Sequence, residues 1–347
     1  MSVILYLGDS RLLSTSAHRA YALERLGHTV IIKDPNKIVA EHINSKWLSP
    51  LHYHTGYRFL QSQLVNWVSQ IKKETVKVDL IWVDSGHLFG TGCLKVLKTF
   101  ECPVVLYNVD DPTGKRDGHR FDSLLKAISF YDLVIVVRKE TKEECEKIGA
   151  KKVMEVLRSY DEIAHQPFSD ISNIPNEFKS DVAFIGTWMR HENRDKFLFE
   201  LKQQNIPISI WGDRWNKSKY WEDLKSSYRG GALAGREYVA AIQGAKICLG
   251  LLSKGNRDLH TQRSLEVPFA GGLFCAERTV EHQKMYREGV EAVFWANADE
   301  CAKVCKELLN NDDLRESIRT AGMLRVKELS TGNEDVCKRI LDELNIK

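Results

Sequence analysis

No C-x-x-C pair occurs among the eight cysteines of this 347-residue chain. Zinc knuckles and dithiol redox sites of the usual spacing are therefore unsupported. Cys93, Cys102, Cys145, Cys248, Cys275, Cys301, Cys305 and Cys337 read as reduced, mostly buried thiols. Cys301 and Cys305, four apart in a helical pattern, could share a face. No apolar run approaches the roughly 18 residues of a membrane span. The start MSVILYLGDS lacks a charged segment ahead of its short apolar run, so no signal peptide is expected. A basic arm is missing too: 50 Lys and Arg against 47 Asp and Glu leave a net charge of +3 spread along the chain. Bulk nucleic-acid binding is disfavoured on that ground. Low-complexity segments and sequence-level repeats are absent. A hydrophobic share of 43% excludes wholesale disorder, so a soluble, cytoplasmic, folded protein is expected.

Two phosphate-binding fingerprints are also missing. The loop GDSRLL after the first apolar run lacks G-x-G-x-x-G, and no Walker A sequence occurs. Nicotinamide or flavin chemistry has little support, and no cofactor is expected.

What is present is alternation. VILYL (3–7), TVIIK (29–33), DLIWVD (79–84), PVVLYN (103–108) and DLVIVV (132–137) read as buried strands between amphipathic helical segments. The pattern lapses over HQPFSDISNIPNEFKS (165–180), then restarts with DVAFIG (181–186), ISIWG (208–212), KICLGLL (246–252), GLFCA (272–276) and AVFWA (292–296). Continuous apolar strands separated by helices indicate parallel sheets covered on both faces. The length exceeds the roughly 250–300 residues at which one core stops growing, so two domains are expected. The boundaries read as 1–167, 168–330 and a terminal helix 331–347 packing back on the first domain.

Ligands of open parallel sheets bind beyond the carboxyl ends of the strands. Gly8 and Gly186 each sit in a strand-to-helix turn, where backbone N–H groups can meet an anion; simple turn geometry is the competing reading. The loop after 181–186, GTWMRHENRDK, brings Thr187, Arg190 and Arg194. The stretch SKGNRDLHTQRSLEVPFAGG brings Lys254, Arg257, Asp258, His260, Thr261, Arg263 and Glu266. Arginine forks suit diphosphate oxygens. A carboxylate such as Glu266 can accept from the vicinal hydroxyls of a ribose, and the AGG turn permits close backbone approach. In the first half, Asp84, His87, Asp110 and Asp111 directly follow apolar strands and are the candidate acid–base groups. Adjacent Asp110 and Asp111 could hold Mg²⁺ or Mn²⁺, although an Asp-Asp-Pro turn with an N-cap accounts for them as well. His52 and His54 lack a third metal partner and read as a surface turn or an acceptor loop. Trp188, Trp211 and Trp215 read as core packing at strand ends.

These motifs carry a resemblance. DVAFIG followed by basic residues, IWGDRW, YVAAIQGAKICLGL and HTQRSLEVPFAGGLFCAE resemble, in order, the second half of GT-B glycosyltransferases, most closely the CgeB-like family of group 1 type. DSGH (84–87), NVDDP (108–112) and HQPF match the first half more loosely. The resemblance implies an α/β GT-B architecture: two doubly wound, Rossmann-like domains facing a cleft, the first on the acceptor side. It implies a nucleotide-sugar donor held by the second domain and sugar transfer to an acceptor hydroxyl without metal. The acceptor is open: a protein, a glycan or a small molecule. The family's Glu-x7-Glu pair would fall on Asp258, one methylene shorter, and Glu266. Its diphosphate-holding cations could be Arg190 with Arg194 or Lys196, or Lys254 or Arg257; strand-end position favours Arg190, Arg257 and Arg263. A nucleotide-sugar epimerase, a phosphorylase or a non-catalytic sugar-nucleotide-binding module are the alternatives.

Overall fold

The computed structural model describes residues 1–75 and 77–347, which form two units. Met1–Leu157 and Asn333–Lys347 make unit 1; Arg158–Gly332 make unit 2. The division thus falls at Leu157/Arg158 rather than at 167/168. The reason is local: the segment that loses its strand–helix rhythm, from His165 onward, already packs its side chains into unit 2, as described below.

Unit 1 carries β1 (Val3–Leu7), β2 (Thr29–Lys33), β3 (Leu80–Asp84), β4 (Val104–Tyr107), β5 (Leu133–Val136) and β6 (Val153–Glu155). All pair in parallel, in the order β2-β1-β3-β4-β5-β6. The apolar strands are buried because helices cover both faces. One face packs Leu5, Ile81, Val83, Leu106 and Val134 against Leu64, Val68, Leu94 and Leu97. The other packs Ile4, Tyr6, Leu80, Trp82 and Ile135 with Ala20 and Leu23. The helix Thr15–Arg25 starts where Ser14 Oγ accepts from Ala17 N at 3.0 Å. The terminal helix Asn333–Glu343 lays Val336, Cys337, Ile340 and Leu341 into this second cluster.

Unit 2 carries β7 (Ser180–Ile185), β8 (Ile208–Trp211), β9 (Tyr228–Gly230), β10 (Ala245–Gly250), β11 (Phe274–Glu277) and β12 (Val293–Trp295). They are also parallel, in the order β12-β11-β10-β7-β8-β9. Each sheet has a point where strand order reverses, between β1 and β3 in unit 1 and between β7 and β10 in unit 2. Beyond the carboxyl ends at such a point a crevice is left between loops that depart to opposite faces. The short strands β6 (VME) and β9 (YRG) escape the sequence pattern because each mixes apolar with polar residues over too few positions to show a period, whereas β12, equally short, lies in the apolar run AVFWA.

Ile340 is fully buried in the terminal helix. Ile340→Ala is expected to destabilise unit 1 by about 2–5 kcal/mol, the range for emptying an aliphatic core site. A urea titration of the variant against the parent measures this; an unshifted midpoint would show that the helix does not complete the core.

Candidate functional site

In unit 2 the carboxyl ends of β7 and β10 gather most of the donor-side candidates. Gly186 follows β7, and its carbonyl accepts from Trp215 Nε1 at 2.9 Å. Gly212, after β8, has φ 146°, and a Cβ there would lie 2.1 Å from the Gly186 carbonyl oxygen. Only glycine allows those two loops to touch backbone to backbone. Arg194 opens the helix Arg194–Gln203 and donates to the carbonyls of Thr187 (3.1 Å) and Leu252 (3.2 Å). It therefore ties the loop after β7 to the loop after β10. Arg190, on the first of these loops, is exposed.

The helix Arg263–Phe269 brings Arg263 to the end of β7, where Nε donates to the Ile185 carbonyl at 2.5 Å. One turn on, Glu266 is buried. Its Oε2 accepts from the Tyr238 hydroxyl at 2.6 Å, and His165 Nε2 lies 3.5 Å from Oε1. His165 Nδ1 accepts from Asp161 N at 2.8 Å, so Nε2 carries the proton and faces the carboxylate. Burial and then the Glu266 charge push the Tyr238 hydroxyl well above its ordinary pKa, so it remains a donor. Trp188, Trp211 and Trp215 pack at the strand ends, with Trp188 Nε1 donating to Asp195 Oδ2 at 3.0 Å.

Other candidates are drawn elsewhere within unit 2. Asp258 is buried and receives Arg158 Nη2 at 3.1 Å. His260 accepts from Arg158 N at 3.1 Å through Nε2, and its Nδ1 meets Glu281. This pair secures the start of unit 2. Lys254 pairs with Glu277 at 3.1 Å. Arg257 adopts a left-handed backbone, φ 55°. The peptide N–H of Thr261 donates to Ser264 Oγ at 3.0 Å. Glu192, which no motif singled out, accepts from Lys254 N at 2.8 Å and from Ser253 Oγ at 3.2 Å, so it shapes the loop after β10. Tyr238 and His165 were not singled out either, although Tyr238 opens the motif YVAAIQGAKICLGL and His165 opens the HQPF segment.

In unit 1 a cavity of about 830 Å³ opens beyond the carboxyl ends of β1, β3 and β4, and Gly8, Asp84, His87, Asp110 and Arg120 line it. A Cβ at Gly8 would lie 2.4 Å from Ser16 Oγ and 2.9 Å from Asp84 Cβ, so glycine is required there. Asp84 receives both sides of the buried Arg19 guanidinium, at 2.8 and 3.0 Å, and the Tyr6 hydroxyl at 2.7 Å. Burial opposes the Arg19 charge, but Asp84 and the neighbouring tyrosines outweigh it and hold the guanidinium protonated. His87 Nδ1 lies 3.0 Å from Ser85 Oγ, and the ring meets Tyr57 edge-on. His87 is half-buried and lines the cavity. Burial, then the Arg120 charge, lowers its pKa to about 3, so the imidazole is neutral near pH 7. Asp110 lines the cavity 3.8 Å from Arg120. Asp111 instead is buried and accepts from Thr141 at 3.2 Å. The adjacent carboxylates therefore have different surroundings. His52 is buried against His42 rather than forming a surface turn.

Among the described residues, one group has metal-ligand geometry: Cys275, Cys301 and Cys305, fully buried, with sulfurs within 4.8 Å of one another. Cys301 and Cys305 do share a helix face, and the third thiol comes from β11. None of the described helices is long and apolar enough to cross a membrane.

Residues 190–337 match the family model described as glycosyl transferase-like. No curated protein matches the chain. Among solved structures, sucrose-phosphate synthase from Thermosynechococcus elongatus is similar at TM-score 0.69 and 13% identity, over 99% of this chain and 98% of that one. Anabaena HepE in complex with UDP-glucose is similar at 0.66 and 13%, over 99% and 100%. A Listeria monocytogenes protein assigned as a UDP-N-acetylglucosamine 2-epimerase is similar at 0.58 and 12%, over 98% and 94%. The two six-stranded parallel sheets are thus those of the GT-B glycosyltransferase fold, and the second half is glycosyltransferase-like in sequence.

Two outcomes follow from these contacts. Asp84→Asn leaves Arg19 charged and buried without its partner, and is expected to cost unit 1 about 3–5 kcal/mol; Arg19→Leu combined with Asp84→Leu should cost less, because no charge is left stranded. Urea midpoints of the single and double variants test this, and a milder single variant would refute it. His87 is neutral in folded and unfolded chains above about pH 6.5. As pH falls towards about 3 the unfolded chain takes up this proton first, so unit 1 loses stability over that window. His87→Gln should flatten that part of the stability–pH curve; an unchanged slope would mean that the ring is protonated when folded.

Proposed function

We propose that this chain is a glycosyltransferase of the CgeB-like, group 1 type that moves a sugar from a nucleotide-diphosphate-sugar donor to an acceptor hydroxyl without a bound metal. The observation that carries the reading is the helix Arg263–Phe269. It holds a guanidinium against the end of β7 and, one turn later, a buried carboxylate oriented by Tyr238 and His165. In this reading unit 2 binds the donor. Glu266 accepts from the ribose hydroxyls. Arg263, with Arg190, meets the diphosphate.

As the bond from the anomeric carbon to the diphosphate oxygen breaks, negative charge grows on the leaving group. Fixed cations stabilise that growing charge more than the ground state, which is what lowers a barrier. The acceptor hydroxyl binds in the unit 1 cavity and gives up its proton as it attacks. Asp84 is engaged by Arg19 and Tyr6, and burial holds His87 at a pKa of about 3, too low for efficient proton acceptance near pH 7, which leaves Asp110 as the candidate base on the cavity lining. The likeness to HepE with UDP-glucose and to sucrose-phosphate synthase supports a nucleotide-sugar ligand. The likeness to a protein assigned as an epimerase supports a second reading, in which the donor sugar itself is inverted.

Thermal shift with UDP-, GDP-, dTDP- and CMP-sugars tests the donor. A ligand at 100 times its Kd stabilises by about 2.7 kcal/mol. One nucleotide family is expected to shift the melting transition, and none doing so would overturn the reading. Glu266→Gln should weaken that nucleotide about tenfold, the loss of a charge-assisted hydrogen bond. Donor conversion in the absence of any acceptor would favour epimerisation.

A further inference from the structure

We infer that the unit 1 cavity takes a neutral, polyhydroxylated acceptor, a saccharide or glycoside without phosphate or carboxylate groups. This rests on the proposed transfer reaction, but its argument is independent of the donor.

The cavity is rich in charge yet balanced. Its three arginines are already engaged by carboxylates of the same unit. Arg11 grips Asp9 in a fork, with Nη2 to Oδ2 at 2.6 Å and Nε to Oδ1 at 3.0 Å. Arg19 grips Asp84 in the same way. Arg120 lies between Asp110 at 3.8 Å and Asp117 at 3.5 Å. The remaining lining charges are Lys37 and Asp34, so the lining holds four cations and four anions. Asp34 in turn accepts from Ser10 and from Asn36 N.

An anionic ligand needs a cation whose donors are free to turn towards it. Here Lys37 is the one lining cation, among the described residues, not shown against a carboxylate, so any further contact of a phosphate would have to take a guanidinium from its carboxylate, leaving that carboxylate short of donors and facing a second negative charge. That exchange is costly for the buried Arg19–Asp84 pair and milder for the more exposed Arg11–Asp9 pair. A hydroxyl-rich neutral ligand meets the opposite situation. Carboxylate oxygens that accept from arginine on one side keep lone pairs for hydroxyl donors on the other. Thr15, Ser85, Asn36 and Asn44 on the same lining offer donors and acceptors to a ring of hydroxyls. This is the chemistry of sugar recognition rather than of phosphate recognition.

The test uses the full-length chain and matched pairs of ligands: glucose with glucose 6-phosphate, and a neutral disaccharide with its phosphorylated counterpart. Saturation-transfer NMR measures binding without a donor. The neutral member of each pair should bind at least about tenfold more tightly, the factor expected for one unsatisfied charge-assisted contact. Tighter binding of the phosphates, or binding of neither member, would overturn the inference. Asp9→Asn supplies a second arm. Asparagine keeps an oxygen for the Arg11 N–H but removes the charge, so Arg11 and Lys37 are left in excess. The variant should move the neutral-to-phosphate preference about tenfold towards phosphate, and an unmoved ratio would also refute the proposal. Failure of the transfer reading appears separately, as no nucleotide-sugar shift in the melting screen.

Discussion

A carboxylate removed from water needs donors placed around it beforehand, and this constraint organises both units. Each sheet sends several acidic side chains into partly dry surroundings beyond its strand ends. Every one that is buried is met by a specific donor set. Asp84 has Arg19 and Tyr6; Glu266 has Tyr238 and His165; Glu192 has the amides of the loop after β10; Asp258 has Arg158. Without these donors the charged forms would be expelled or neutralised. With them, the loops after the strands acquire one geometry, which is what a binding surface needs.

The same constraint separates residues that share a sequence neighbourhood. Asp258, His260, Arg263 and Glu266 lie within a few residues of each other. The first two are consumed in attaching Arg158 to the interior of unit 2, and the last two remain at the end of β7. A similar division splits Asp110 from Asp111, one lining the cavity and the other buried on Thr141. Proximity along the chain is thus a weak guide to shared chemistry in a loop. The backbone there turns within two or three residues and sends successive side chains to different partners.

The GT-B fold by itself leaves the reaction open, since transferases and a protein assigned as an epimerase share it at 12–13% identity. Sheet order creates a crevice at the reversal point, and the loops decide what enters it. The discriminating features here lie in those loops: a cation and an oriented carboxylate on one short helix in unit 2, and a charge-balanced cavity with a neutral imidazole at its edge in unit 1.

Fold class was legible in the sequence, because continuous apolar strands between amphipathic helices are a local pattern that a parallel sheet requires. So was the location of the candidate residues, because strand ends can be read from where apolar runs stop. Gly8 and Gly186 were marked for the same reason. Which side chains remain available was decided only in three dimensions. Arg19 reaches Asp84 across 65 residues, and Arg158 reaches Asp258 across 100. His165, in the segment where the strand–helix pattern lapses, faces Glu266. Such pairings depend on the order in which strands assemble, and no local period encodes that order. The sequence could name the charged groups at each strand end, but only packing determined which of them already had a partner.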